Sequence, residues 1–414
     1  MSSGYVIVGI ELGSSFFRGI AVRPEEHSPD GVEVGAWAKV PSAGVRRGVV
    51  VDVTEASRAL VALRSELEMQ LHDRISEAVV AVSGAHLASV PARGLVAVAR
   101  ADGEIGEEDV RRVQDAAQAA AIGANREVLH VLERDFIVDG ENGVRDPRGM
   151  RGVRLELEAL IIAVSTSHLR SLEEALGAAG ITPIAFVAAP LAAARGVLTP
   201  RQKELGTMLI DLGAGTTDFS VFEEGRCLHA GIIPIGGAHI SNDIAIGLRI
   251  PIELAEELKH AHGLAIARTG GKREMLDLPD GTGSFTRKQL GEIIEARLLE
   301  IFDLLAKELE GIGRARLLPG GIVLGGGSSG IPQLADLAKA RLKLPAAVGM
   351  PNIKGGPLEI RQDPAFATPV GVVLLALEDS SSKRASRGLT RISLPGLPKD
   401  VSKTVKGFLR SLLP

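Results

Sequence analysis

The strongest constraint on this chain is a motif that it carries twice. VIVGIELGSSFFRGIAV (6–22) and TMLIDLGAGTTDFSVFEEG (207–225) read alike. Each is a β-rich apolar run followed by an acid (Glu11, Asp211), an apolar residue, a glycine, small hydroxylated residues and a second β-rich run. Both predict β-hairpins whose glycines supply backbone conformations that side chains would block. A tight turn offering N–H groups and hydroxyls, with a carboxylate at its base, suits a phosphate chain and its Mg²⁺. Taken singly, either is as readily an ordinary hairpin; the repetition carries the weight.

A second pair follows the same logic. AAPLAAARGVL (188–198) and ATPVGVVLLAL (367–377) both predict helices that start at X-Pro and are rich in Ala, Gly and Val. Small side chains let two helices approach closely where they cross. A third element, GGIVLGGGSSGIPQLADLAKARL (320–342), predicts a buried strand, a turn at Gly325, Gly326 and Gly327, and an amphipathic helix from about Ile331. Backbone approach to a flat base or to phosphates explains such glycines. Together the pairs predict a pseudo-duplicated α/β fold with nucleotide between its halves.

Hairpin, hairpin, paired connecting helices and glycine turn resemble the actin, Hsp70 and sugar-kinase superfamily. Over almost its full length the chain is more similar to the FtsA family of bacterial cell-division proteins. The runs that carry this are GVRRGVVVD, VSGAHLAS, EVLHVLERDFIVDGENGVRDPRGMRGVRLE, LTPRQKELGTMLIDLGAGTTDFSVF, IPIGGAHISNDIAIGLRIPIELAEELKHAHG and a terminal amphipathic segment. The resemblance implies an actin-like fold of duplicated RNase H-like halves with an inserted 1C subdomain. It divides the chain into subdomain IA (1–83 and 162–204), 1C (84–161), IIA (205–236 and 318–377), IIB (237–317, with helices near 252–263 and 287–311), a basic linker (378–399) and a membrane-targeting helix (400–414).

The resemblance also implies ATP with Mg²⁺. Phosphate and nucleoside contacts would come from Gly13, Ser14 and Ser15, from Gly213, Gly215, Thr216 and Thr217, from Gly236 and Gly237, and from Gly326, Gly327 and Ser328. Glu11 and Asp211 would face Mg²⁺ through water; Asp218 follows the second turn. Glu11 departs from the Asp that the family often carries. Glu256 and Lys259 match an A-E-x-x-K helix bordering ribose and base, the less favoured alternative being an i,i+3 pair on a solvated helix. Ala189 stands where hydrolysing relatives place a carboxylate, so turnover is expected to be slow and the nucleotide a structural switch. The implied partners are the C-terminal peptide of the tubulin-like FtsZ through IIB, further copies of the chain, and an anionic membrane surface.

The terminal segment DVSKTVKGFLRSLLP places Val401, Val405, Phe408, Leu409, Leu412 and Leu413 on one helical side and Lys403, Lys406 and Arg410 on the others. Residues 380–414 hold eight basic residues and one acid, so a basic tail follows an acidic body in a chain of net charge −4. Such a tail suits anionic lipid, where each basic residue contributes roughly 1 kcal/mol. An acidic body with 3% aromatic residues is a poor nucleic-acid binder. The single Cys227 excludes an internal disulfide framework. The first residues lack signal-peptide features, and no apolar run approaches the roughly 20 residues that span a bilayer. These features predict a peripheral protein on the inner face of the membrane at the division site. A PilM-type pilus-assembly protein and, further off, a small-molecule kinase share the core, but the resemblance gives neither an amphipathic tail.

Overall fold

The computed structural model describes residues 5–25, 31–121, 123, 125–269, 274–277 and 283–385. Both hairpins form. Ile7–Leu12 pairs antiparallel with Phe16–Pro24, and Thr207–Leu212 with Thr217–Glu223. Each hairpin gains a third antiparallel strand, Val32–Pro41 in the first and Arg226–Ile233 in the second. Two parallel strands complete each sheet on the other side: Glu77–Val82 then Thr182–Ala188, and Gly321–Gly325 then Ala346–Val348. The two five-stranded sheets therefore share strand order and direction, and the duplication read from the sequence is one of topology.

Local chemistry sets the helices that seal the sheets. Val53–Leu71 starts where the Asp52 side chain accepts from the Glu55 N–H at 3.0 Å. Ala56, Leu60, Leu63 and Leu67 recur on its inner face and are buried. Each such leucine stabilises the fold by about 1.5–3 kcal/mol. Gly19 gives Leu67 its place, since a Cβ there would lie 2.8 Å from the leucine Cδ1. In the second half Gly237–Leu248, Ile252–His262 and Arg287–Gly311 pack around Ile244, Ile294, Leu298 and Phe302. A capping box between Thr286 and Gln289 begins the last of these helices.

The two X-Pro helices, Ala189–Val197 and Ala367–Ala385, cross between the sheets. A Cβ on Gly371 would fall 1.6 Å from the Ala192 carbonyl oxygen, and one on Gly196 would fall 2.0 Å from that of Ala367. Only glycine permits this approach. The second helix continues to Ala385, so residues 378–385 extend it where a linker was expected. The remaining tether and the terminal helix, residues 386–414, lie outside the described residues. No described helix is long and apolar enough to cross a membrane.

Between the two parts of the first half stands a separate antiparallel sheet in the order Ala88–Ala97, Arg154–Ser165, Arg126–Val138, Glu141–Val144. Helix Glu107–Ala121 covers one face through Val113 and Ala117, against Leu155, Leu157 and Phe136. Its strand Arg154–Ser165 passes the expected subdomain edge at residue 161 and leads directly into helix Thr166–Ala178.

Candidate functional site

The tips of the two hairpins meet. A Cβ on Gly215 would lie 2.4 Å from Ser14 Oγ, so the second turn closes on the first only through a glycine. Ser14 Oγ in turn accepts from the Gly48 N–H at 3.3 Å. Gly13 keeps its own turn tight, because a Cβ would meet the Phe16 carbonyl at 2.6 Å. In the second turn Gly213 N–H donates to the Thr216 carbonyl at 3.0 Å.

That turn is bound to the start of a helix. Gly237 N–H donates to the Gly213 carbonyl at 2.9 Å and Ala238 N–H to the Ala214 carbonyl at 2.8 Å. Gly236 fits beneath the Gly213, Ala214 and Thr216 carbonyls, which a Cβ would meet at 2.6–2.8 Å. Ser328 Oγ donates to the Gly213 carbonyl at 3.4 Å. Gly326, at φ 81°, closes the wall, its missing Cβ leaving room for Asp211 Oδ1. Helix N-terminus, glycine turns and hydroxyls thus converge on one cleft between the halves.

The expected residues differ in their surroundings. Ser15 is exposed at the hairpin tip. Gly327 has space for a side chain. Thr217 Oγ1 is committed to the Ile235 carbonyl at 2.7 Å. Glu256 and Lys259 do pair, at 2.7 Å, but Lys259 is buried rather than solvated. Its Nζ donates to the Gly237 carbonyl at 3.1 Å, to Ser241 Oγ at 2.9 Å and to Glu256, so all three donors brace the helix start. The glycine wall leads through a short 3₁₀ turn, Gly327–Gly330, to a helix at Leu334 rather than Ile331.

The electrostatics separate the two hairpins. Facing Glu11 across the first is Arg18, with 3.8 Å between the charged groups. Facing Asp211 across the second is Asp218, a like charge. Burial pushes the Glu11 carboxyl up to about 8 in spite of Arg18, and the neighbouring Asp211 and Asp218 add to the rise. Burial also raises Asp211 to about 6, opposed by the hydroxyl of Thr368, which donates to its Oδ2 at 3.1 Å. Asp218 rises to about 7 through burial and then Asp211, opposed by Ser83, whose hydroxyl donates across the cleft at 2.9 Å. One Glu11 oxygen has no hydrogen-bond partner. A cation beside these carboxylates would oppose the effect of burial and favour their charged forms. Among the described residues no group of three or more His, Cys, Asp or Glu side chains could hold a metal directly. The hydroxyls, the glycine turns and the buried carboxylates are of the chemical kinds that fit a phosphate chain with a divalent cation. Ala189, at the head of its helix, is buried, and the adjoining Pro190 carbonyl accepts from Ser220 Oγ at 3.1 Å.

Sequence reading placed Asp218 beside the site without a role. The symmetric spacing of IDLGAGTTDF, which sets Asp211 opposite Asp218 once the hairpin closes, carried that signal. Ser83, Thr368 and Gly48 come from distant elements and had none.

Two sheets of equal topology around a glycine-lined cleft, with paired helices crossing beneath, define an actin-like protein. Solved structures agree in fold. The PilM–PilN type IV pilus biogenesis complex matches with TM-score 0.64 and 18% identity over 89% of this chain and 97% of that one. MreB5 of Spiroplasma citri bound to ADP matches with TM-score 0.53 and 14% identity over 92% and 99%. Sequence comparison is more specific. The family model for cell division protein FtsA matches residues 208–371, and that for the SHS2 domain inserted in FtsA matches residues 84–163. Cell division protein FtsA of Pseudomonas aeruginosa is 35% identical over 92% of this chain and 91% of its own length. The Bacillus subtilis protein of that name is 34% identical over 92% and 85%. The chain belongs to the FtsA family of cell-division proteins.

Proposed function

We propose that this chain binds ATP with Mg²⁺ in the cleft, polymerises on the inner face of the membrane and tethers the FtsZ division ring to it. The observation that supports this best is the pair of facing hairpins with their buried acids, in a chain of this family. Backbone N–H groups of the glycine turns and Ser14 would hold phosphates, and Asp211, Asp218 and Glu11 would face the hydrated cation. Mg²⁺ would neutralise phosphate charge there. Ala189 offers no group to orient an attacking water, which supports nucleotide as a switch with slow turnover. The basic amphipathic segment at 400–414 would supply a marginal anchor to anionic lipid, made firm when several are held on one polymer. On the IIB side, helix Gly237–Leu248 exposes Ile246 at 77%, an apolar group suited to a peptide partner.

The deciding experiment is co-sedimentation with vesicles, ATP and Mg²⁺, comparing the full chain with one truncated after Pro398. Pelleting on anionic but not neutral vesicles, abolished by truncation, is expected. Equal behaviour of the two chains would refute the tail as anchor.

A further inference from the structure

One strand of the inserted sheet touches both halves of the molecule. Arg126–Val138 carries two β-bulges, which leave Leu129 and Arg134 out of register with strand Arg154–Ser165. Bulges bend a strand and re-aim its side chains. Beside the first bulge, fully buried His130 reaches the first half, its Nε2 accepting from the Ala188 N–H at 2.9 Å. At the second, the Arg134 guanidinium donates to the Leu228 carbonyl, and Arg226 returns a bond to the Arg134 carbonyl. Arg226 also lies 3.5 Å from Asp135. Leu228 and Arg226 belong to the edge strand of the second sheet.

The His130 contact falls at a point of need. Helix Ala189–Val197 begins at Ala188, which has no side chain that could cap it. The Pro190 carbonyl of the same helix is held by Ser220 of the second half, two residues along the strand from Asp218. Burial drives the imidazole far down, to about 3, so it stays neutral and keeps Nε2 as an acceptor.

We propose that the inserted subdomain is a clasp joining both halves behind the cleft. Within it His130 is a positioning residue, fixing the start of helix Ala189–Val197 that this helix's own sequence leaves uncapped. Displacing the insert then shifts the helix start and the seat of the nucleotide. Only that last consequence rests on the nucleotide reading.

The test uses the full chain with a fluorescent ATP analogue and Mg²⁺, and measures release rate and amide hydrogen exchange. His130→Phe keeps the volume and removes the acceptor, whereas His130→Gln returns an acceptor near the Nε2 position. Loss of one buried bond at the helix start is expected to speed release by about tenfold in the Phe variant and to about threefold or less in the Gln variant. Exchange should rise at Ala188 in the Phe variant while helix Arg287–Gly311 stays protected, which shows that the fold is retained. Arg226→Ala, removing one of the two bonds of the other arm, should speed release without exposing Ala188. Unchanged exchange at Ala188 in the Phe variant, Gln no better than Phe, or unchanged release in Arg226→Ala would overturn the proposal. A parent chain that binds no nucleotide would instead refute the cleft reading, and the exchange comparison would still decide the role of His130.

Discussion

Asp218 is the single residue that most distinguishes the second hairpin from the first. Its counterpart in the first half is Arg18, which partly neutralises Glu11; Asp218 can only repel Asp211. Asp218→Asn is therefore expected to stabilise the ligand-free protein by about 1 kcal/mol, by removing one of two facing like charges. The same change should weaken Mg²⁺-dependent nucleotide binding. Thermal unfolding with and without Mg²⁺–ATP checks both signs. His130 gives a pH signature of the opposite kind to the cleft acids. Its folded value, about 3, lies below the ordinary 6.5, so the unfolded chain binds the extra proton. Its contribution is then present above 6.5 and lost progressively as pH falls toward 3. Denaturant melts of parent and His130→Phe should show a stability difference that is greatest near neutrality and shrinks in acid. The carboxylates common to both proteins cancel in that difference.

At the level of elements, the crossing helices bear the tightest constraint. Gly371→Val would drive carbon into the Ala192 carbonyl, and a cost of about 3 kcal/mol or more is expected from overpacking that cannot relax. Gly177 in helix Thr166–Ala178 is the control, since nothing lies within 4 Å of an added Cβ. Gly177→Ala should be neutral or stabilise by about 0.5–1 kcal/mol. Guanidinium titrations distinguish the two. These helices were legible in the sequence because close approach demands small residues and Pro marks a first turn. Their ends were less so. Ser, Lys and Arg after Leu377 read as a tether, yet Glu378 pairs with Arg195 at 2.5 Å and the helix runs on. The helix expected from Ile331 starts later because the chain passes through Pro332 and a left-handed Gln333, φ 67°.

For the whole molecule, the duplication was legible and the cleft only in outline. A hairpin is a local event, so its glycines and acids announce themselves. The groups that tune the site arrive from far away: Ser83 is 135 positions from Asp218, Thr368 is 157 from Asp211, and His130 is 58 from Ala188. No periodicity encodes such meetings; the packing of two halves makes them. A ligand held by both halves should stabilise them as one unit. At a hundredfold excess over Kd, Mg²⁺–ATP is expected to add about 2.7 kcal/mol and merge unfolding into a single transition, which calorimetry would read. Helix Ala367–Ala385 has a further consequence. Near one end Thr368 holds the Asp211 carboxylate, and at the other the chain goes on to its basic terminus. It is a rod about 27 Å long with no slack at its crossing point. Movement at its far end is thus carried by a stiff element to the hydrogen bond on the Asp211 carboxylate, which makes this helix a lever rather than a tether.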